Sequence, residues 1–222
     1  MDDAGAPLHA AVLELTGTGR GTAVLDLGCG AGGFARAAAD RGARVTGVDL
    51  DAGAVALAAA AVPEGTFLVR SAQDPPRGPF DVVAAVQLLE HVRDPVAVLS
   101  RAGRAGAVVA ATVWGREEEC DLRVLDEAAG ARPRAGSTLR EPAVLRRAAE
   151  RAGLVVERVD EVEVPFTYAD EEELLTPALA ATPTGGAGAA RHALLERLQP
   201  YRTGDGGYRL VNLCRVLVAR RA

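Results

Sequence analysis

This 222-residue sequence predicts a doubly wound α/β fold, and three observations carry the prediction. Short apolar runs alternate with helix-length segments five times between residues 1 and 114. The runs are almost continuously apolar, as strands are when helices cover both faces of a parallel sheet. The first run, VLDL at 24–27, passes straight into a glycine-rich turn, GCGAGG at 28–33, and then into a helix-like segment. Open α/β sheets bind ligands beyond the carboxyl ends of their strands, so this turn marks one wall of a site.

The elements follow in order. Residues 7–16 (PLHAAVLELT) read as a short helix, ended by the glycines of 17–21. Residues 23–27 form a first strand. Residues 35–41 form a helix whose small side chains let it lie close to a sheet, capped by Gly42. A strand at 44–48, a helix at 52–61 stopped by Pro63, and a strand at 67–70 come next. DPPRGP at 74–79 is a turn. A strand at 80–86, apolar apart from Asp81, precedes a helix at 94–104, opened by Asp94-Pro95. A fifth strand spans 107–114.

Beyond 114 the pattern changes. Residues 117–129 and 141–152 read as helices. LVVERVDEVEVPF at 154–166 alternates with period two, as an antiparallel strand does. Residues 169–180 and 187–198 read as helices separated by a glycine run at 184–188. YRLVNLCRVLVA at 208–219 reads as an antiparallel last strand. A last strand so far along the chain from its partner makes the helices before it an insertion, expected to act as a lid. The expected organisation is one domain over 1–222, with its core at 20–166 and 208–220 and the helical lid at 167–207.

Composition bounds the function. With 49% hydrophobic residues, the chain can bury one sizeable core but is short for two full domains. A net charge of −5 and a pI near 5.3 leave no basic stripe for nucleic acid. Arg140, Arg146, Arg147 and Arg151 alternate with Glu141 and Glu150, as on a solvated helix face. Cys29, Cys120 and Cys214 are widely spaced with no CxxC pair, so neither a disulfide framework nor a zinc site is expected. The acidic start (Asp2, Asp3) lacks the apolar run of a secretory leader. The longest alanine-rich run, 54–62, is too short to span a bilayer. A cytoplasmic monomer or homodimer that binds neither nucleic acid nor membrane is expected.

Gly28, Gly30 and Gly33 fit G-x-G-x-x-G between a strand and a helix, and Asp49 closes the next strand. Two cofactor classes share that context. Dinucleotides set a pyrophosphate on the helix N-terminus. S-adenosylmethionine (SAM) sets its methionine and ribose there. Asp26 separates the two. A carboxylate just before the turn repels a doubly charged pyrophosphate in a partly dry cleft. The same carboxylate suits SAM, which carries an ammonium and a sulfonium, and backbone N–H groups remain for the methionine carboxylate. The other reading of Asp26 is a cap on its own loop.

VLDLGCGAGGFA at 24–35, GVDLD at 47–51 and FDVVAAVQLLEHVRDP at 80–95 resemble the class I SAM-dependent methyltransferases. More narrowly, they resemble the small-molecule subset that includes the ubiquinone-biosynthesis type. The likeness covers residues 20–114 and is weaker over 139–166. It implies a Rossmann-like fold, SAM as cofactor and S-adenosylhomocysteine (SAH) as product. It also implies a cofactor wall of Asp26, Gly28, Cys29, Gly30, Asp49, Leu50, Ser71, Ala72, Val86 and Gln87. In that likeness Asp49 takes the ribose hydroxyls, Leu50 packs on the adenine, and Val86-Gln87 face the sulfonium. Two positions depart from the family pattern. Ser71-Ala72 stands where an Asp-Ala pair commonly meets the adenine. Gln87 stands where ubiquinone-type relatives have a Glu that has been linked, with the residues matching Glu90 and His91, to a divalent metal. A hard cation would lose a charged ligand here, so no metal is expected. His91 is the candidate catalytic residue, as a general base near neutral pH. The alternative is that Glu90-His91 pins the loop before Asp94-Pro95.

Trp114, Arg116, Tyr168 and Asn212 are the expected acceptor residues: an aromatic at a strand end, a cation, an aromatic and a polar group in an apolar strand. The segment Val86-Gln87-Leu88-Leu89 lacks the Asn-Pro-Pro signature that, in relatives, marks methylation of nucleic-acid bases or protein amides. The expected reaction is methyl transfer to O, N or C of a small molecule. The Ala, Arg and Gly excess points to a GC-rich genome and specialised metabolism. Two other readings stay open. One is SAM binding without methyl transfer, as a regulatory module or in assisted cyclisation. The other is a NAD(P)-dependent oxidoreductase on the same fold.

Overall fold

The computed structural model describes residues 5–128, 138–179 and 187–222. Its centre is a seven-stranded sheet: β1 (Ala23–Leu27), β2 (Arg44–Asp49), β3 (Thr66–Val69), β4 (Phe80–Ala85), β5 (Gly106–Trp114), β6 (Leu154–Tyr168) and β7 (Tyr208–Arg221). The order across the sheet is β3-β2-β1-β4-β5-β7-β6. Strands β1 to β5 run parallel. β7 lies antiparallel between β5 and β6, so the last strand is internal and β6 is an edge. The doubly wound, mostly parallel sheet with an antiparallel last strand is the fold read from the sequence.

The apolar strands follow from burial on both faces. Successive side chains alternate sides of a strand. Val24, Val82, Val108 and Val216 therefore pack on one face, with α1 (Ala6–Leu15) and α2 (Gly33–Asp40). Leu25, Val83, Val109 and Leu217 pack on the other, with α4 (Pro95–Ala105) and α6 (Pro142–Arg151), opposite α3 (Ala52–Ala61) at the far end of the sheet. Helices α3 and α4 start on aspartate caps. Asp51 accepts from the N–H of Gly53 and Ala54 at 2.7 and 3.3 Å, and Asp94, ahead of Pro95, accepts from Ala97 at 2.9 Å.

The single helix expected over 117–129 does not form. Glu117–Glu119 make a 3-10 turn, Cys120 bridges to Asn212, and α5 (Arg123–Ala128) starts only afterwards; residue 129 lies outside the described residues. The cause is long-range pairing. Asp121 N–H donates to the Val211 carbonyl at 3.1 Å, and the Asp121 carboxylate accepts from Val211 N–H at 2.7 Å. The start of β7 thus captures this segment, and tertiary pairing overrides helical periodicity.

Helices α7 (Glu171–Leu179) and α8 (Ala187–Leu198) occupy the insertion between β6 and β7. They bury Leu174, Leu175, Leu194 and Leu198 against Val124 and Tyr208, in a cluster apart from the two sheet faces. Residues 180 and 184–186, part of the expected helix and glycine run, lie outside the described residues. No helix among the described residues is long and apolar enough to cross a membrane.

Candidate active site

The glycine turn is shaped by its neighbours. Gly28 sits at φ 70°, and a Cβ there would lie 2.6 Å from Leu88 Cδ1. Gly32, the residue before α2, sits at φ 92°, and its Cβ would lie 2.9 Å from the Ala58 backbone. Both positions demand glycine twice over, through conformation and through space. The backbone donors are partly spent. Gly28 and Cys29 N–H both donate to the Val48 carbonyl, and Gly30 N–H donates to Asp49 Oδ2 at 2.9 Å. These three N–H groups therefore do not face a ligand freely, contrary to the simplest expectation for the turn. What Gly28 offers is close approach of bare backbone. Asp49 is held at both oxygens, since Oδ1 accepts from Asp51 N–H at 3.0 Å.

Beyond these strand ends lies a cavity of about 500 Å³. Gly28, Asp49, Leu50, Ser71, Ala72 and Gln87 line it, and His91 stands at its rim. Leu50 is 74% exposed, an apolar side chain with nothing yet packed on it. Asp26, Cys29, Gly30 and Val86 do not line the cavity; Asp26 and Cys29 are buried beneath the turn and Val86 packs on the α1–α2 face. Asp26 is 1% exposed, and its Oδ2 has no hydrogen-bond partner among the described residues. Burial first, and then the Asp49 charge, raises its carboxyl to about 7. Burial, with Asp26 and Asp49 nearby, pushes the Cys29 thiol up to about 12, so it stays neutral. Among the described residues Asp26 makes no capping bond to its own loop, and its buried Oδ2 is left without a partner, which is rare unless a ligand or a water completes it.

Residues 5–159 match a family model described as a methyltransferase domain. The chain belongs to that family. A stretch of 100 residues is 37% identical to the ubiquinone biosynthesis O-methyltransferase of Sodalis glossinidius, covering 42% of this chain and 40% of that protein. The match to a second such enzyme, from Pseudomonas aeruginosa, is 40% over 87 residues, or 36% of this chain and 37% of the relative. Each match thus spans well under half of the curated relative. Among solved structures, magnesium protoporphyrin IX methyltransferase from Synechocystis, determined with SAH bound, superposes at TM-score 0.60 with 18% identity, over 99% of this chain and 85% of that one. The cyclase SpnF superposes at TM-score 0.61 with 21% identity, over 96% and 80%. At these identities the structural likeness is one of fold.

None of the four expected acceptor residues, Trp114, Arg116, Tyr168 and Asn212, lines the cavity. Trp114 ends β5, with its ring tilted on Phe166 at 6.2 Å between centroids. Asn212 is wholly buried, and backbone groups satisfy its amide: Oδ1 accepts from Leu122 N–H at 3.0 Å, and Nδ2 donates to the Val164 and Leu210 carbonyls. It ties β7 to its neighbours rather than facing a cleft. Arg116 pairs with Glu119, Nε to Oε1 at 3.0 Å, and with Glu118 at 3.4 Å, so its charge is already met. Tyr168 ends β6 against the α7–α8 cluster, where burial and then Glu173 raise its phenol.

Glu90 and His91 part company. Glu90 Oε2 accepts from Trp114 N–H at 3.0 Å and Oε1 from Arg140 Nε at 2.7 Å, so the carboxylate is fully used in joining β5 to the segment before α6. His91 is exposed at the cavity rim. Among the described residues no three or more His, Cys, Asp or Glu side chains converge as a metal site would require. Arg70, Leu88 and Arg93 also stand in the cavity wall, with Thr112 behind it, and none of them carries a role read from the sequence motifs. Arg70 grips the loop that carries Ser71-Ala72, through Asp74 Oδ2 at 2.8 Å. Its place at the end of β3 was the available signal.

Proposed function

We propose that this chain is a SAM-dependent methyltransferase acting on a small-molecule acceptor. One observation carries the reading above the others: a buried carboxyl, Asp26, whose Oδ2 has no partner among the described residues, behind a glycine turn that opens on a cavity of ligand size. Such a carboxyl fits a ligand that brings a cation to the turn and opposes a pyrophosphate. The residues present fit SAM. Asp49, held from behind by two backbone amides, presents lone pairs to a vicinal diol. Leu50 and Ala72 offer apolar faces for a purine, and the Ser71 hydroxyl, which accepts from Gln73 N–H, keeps its proton for a ring nitrogen. When bound, SAM supplies an activated methyl group on a sulfonium.

The chain's own task is to align and dehydrate an acceptor next to Gln87. The Trp114–Phe166 pair offers an apolar wall for it, and the α7–α8 insertion serves as the lid. His91, exposed at the cavity rim, acts as the general base only for an acceptor that must lose a proton. The curated relatives, O-methyltransferases of ubiquinone biosynthesis, support an O-methyl product, while composition supports specialised metabolism.

Calorimetric titration with SAM, SAH and NAD+ on the wild type and on Asp49→Ala is the test. Micromolar binding of SAM and SAH, no binding of NAD+, and loss in the variant are expected. Binding of NAD+ instead would overturn the reading of Asp26 and the function with it.

A further inference from the structure

Gln87 is the only residue other than glycine with a positive φ among the described residues, at 52°. Glycine would accept that conformation without cost, yet a long polar side chain stands there. Strained backbone that persists is held by its surroundings and often serves a site. The holding groups are visible. The β4–β5 ladder ends at Ala85 and Ala111, so the Gln87 N–H falls past the last paired residue. The Thr112 hydroxyl, wholly buried, accepts that N–H at 2.8 Å. The other end of the side chain is also tied: Gln87 Nε2 donates to Cys214 Sγ at 3.8 Å. Cys214 is wholly buried on the α1–α2 face, and burial pushes its thiol up to about 12, so the sulfur stays a neutral, weak acceptor. With the amide nitrogen turned inward, the Gln87 carbonyl oxygen has no partner among the described residues, and Gln87 lines the cavity.

We propose that Thr112 and Cys214 act as positioning residues, which hold the Gln87 amide oxygen toward the cleft so that it favours the cationic sulfonium of SAM over the neutral thioether of SAH. The inference rests on the SAM reading above and adds a way to discriminate substrate from product. An oriented carbonyl dipole attracts a fixed positive charge and gains nothing from its absence. In a cleft shared by both ligands, that difference lowers the affinity of the spent cofactor relative to the fresh one.

The test is the ratio of SAM to SAH dissociation constants, measured by calorimetry at one pH. Gln87→Leu is expected to cut the preference for SAM roughly tenfold with SAH binding kept within about twofold. Gln87→Glu should raise the preference. Thr112→Val, which leaves the Gln87 N–H without its acceptor, and Cys214→Ala should each lower it about threefold, while Thr112→Ser restores the wild-type ratio. A Thr112→Val protein that weakens SAM and SAH equally, or leaves the ratio untouched, overturns the inference. If Thr112→Val does not fold, the Cys214→Ala and Gln87→Leu ratios decide alone, and unchanged ratios overturn it. A wild type that binds neither ligand removes the SAM reading itself; one that binds both while Gln87→Leu keeps the ratio removes only this proposal.

Discussion

At the scale of single residues, Asp26 makes the sharpest prediction. Burial, and then Asp49, holds its carboxyl at about 7 in the folded chain, far above its ordinary value. The protonated form is the one the fold favours. Its stabilising contribution is full below the ordinary carboxylate range and disappears as the pH rises through about 7. Replacing Asp26 by Asn removes that slope. Urea melts across pH 4 to 8 should show the Asn variant gaining on the wild type as pH rises, by a difference on the order of a few kcal/mol. SAM binding should run the other way. Its cations favour the ionised carboxyl, so wild-type affinity rises toward pH 8 and binding releases protons, visible as a buffer-dependent heat; the Asn variant should lose both the affinity and the buffer dependence. Gly28 predicts a different failure. Ala at Gly28 meets both a left-handed φ and the Leu88 side chain at 2.6 Å. A loss of about 1–3 kcal/mol is expected, with SAH binding abolished, and a variant that still binds SAH normally would show that the turn relaxes.

At the scale of elements, the junction of β5, β7 and the segment at 115–122 is held by buried charge. Arg215, 1% exposed in the middle of β7, reaches Glu119 at 2.7 Å and Glu161 at 3.3 Å. Burial pushes Glu119 up, but hydrogen bonds from Arg116 and Arg215 outweigh it and hold the carboxyl at about 2. That contribution is present above the ordinary carboxylate range and is lost as the pH falls through about 2. Arg215→Met leaves Glu119 with half its partners. It should cost about 2–3 kcal/mol near neutrality and move the acid-unfolding midpoint, followed by circular dichroism, to higher pH. Adding Glu119→Leu should recover most of the loss, and failure to recover would place the cost in packing. The same junction marks what the sequence could not disclose. The glycine turn, Asp49 and the alternation of strands and helices were legible because they are local patterns, a few residues long, with one physical reading. The break at Cys120 was not legible, because Asn212 and Val211, ninety residues on, impose it. Glu90 was read beside His91 as a pair, but its true partner, Arg140, is fifty residues away. The residues proposed to hold the cofactor come from local motifs; the surroundings of those proposed for the acceptor come from contacts between distant segments, where periodicity carries no signal.

At the scale of the whole molecule, two apolar faces of the sheet and a third cluster under α7 and α8 give the chain unequal cooperativity. The sheet faces share strands β1, β4, β5 and β7, so they must open together. The third cluster rests on Leu174, Leu175, Leu194 and Leu198 and meets the sheet only at one end, through Tyr208 and Leu210 of β7 and Tyr168 of β6. A small cluster with few ties to the main core opens at lower free energy than the global transition. Leu174→Ala removes a fully buried side chain there and should cost about 2–4 kcal/mol locally. Hydrogen exchange should then speed up across 171–176 and 191–198 while amides of β1, β4 and β5 keep their protection. SAH affinity should hold, because the cavity is built from the strand ends and the loops that follow β3 and β4, far in sequence from the insertion. Methyl transfer to an acceptor should fall, since a lid that opens readily admits water to the alignment step. If instead the sheet amides accelerate in parallel with α7 and α8, the insertion is part of the global core. In that case the two helices are structural cover for β7 rather than a lid, and the acceptor must reach Gln87 along a path that no moving element controls.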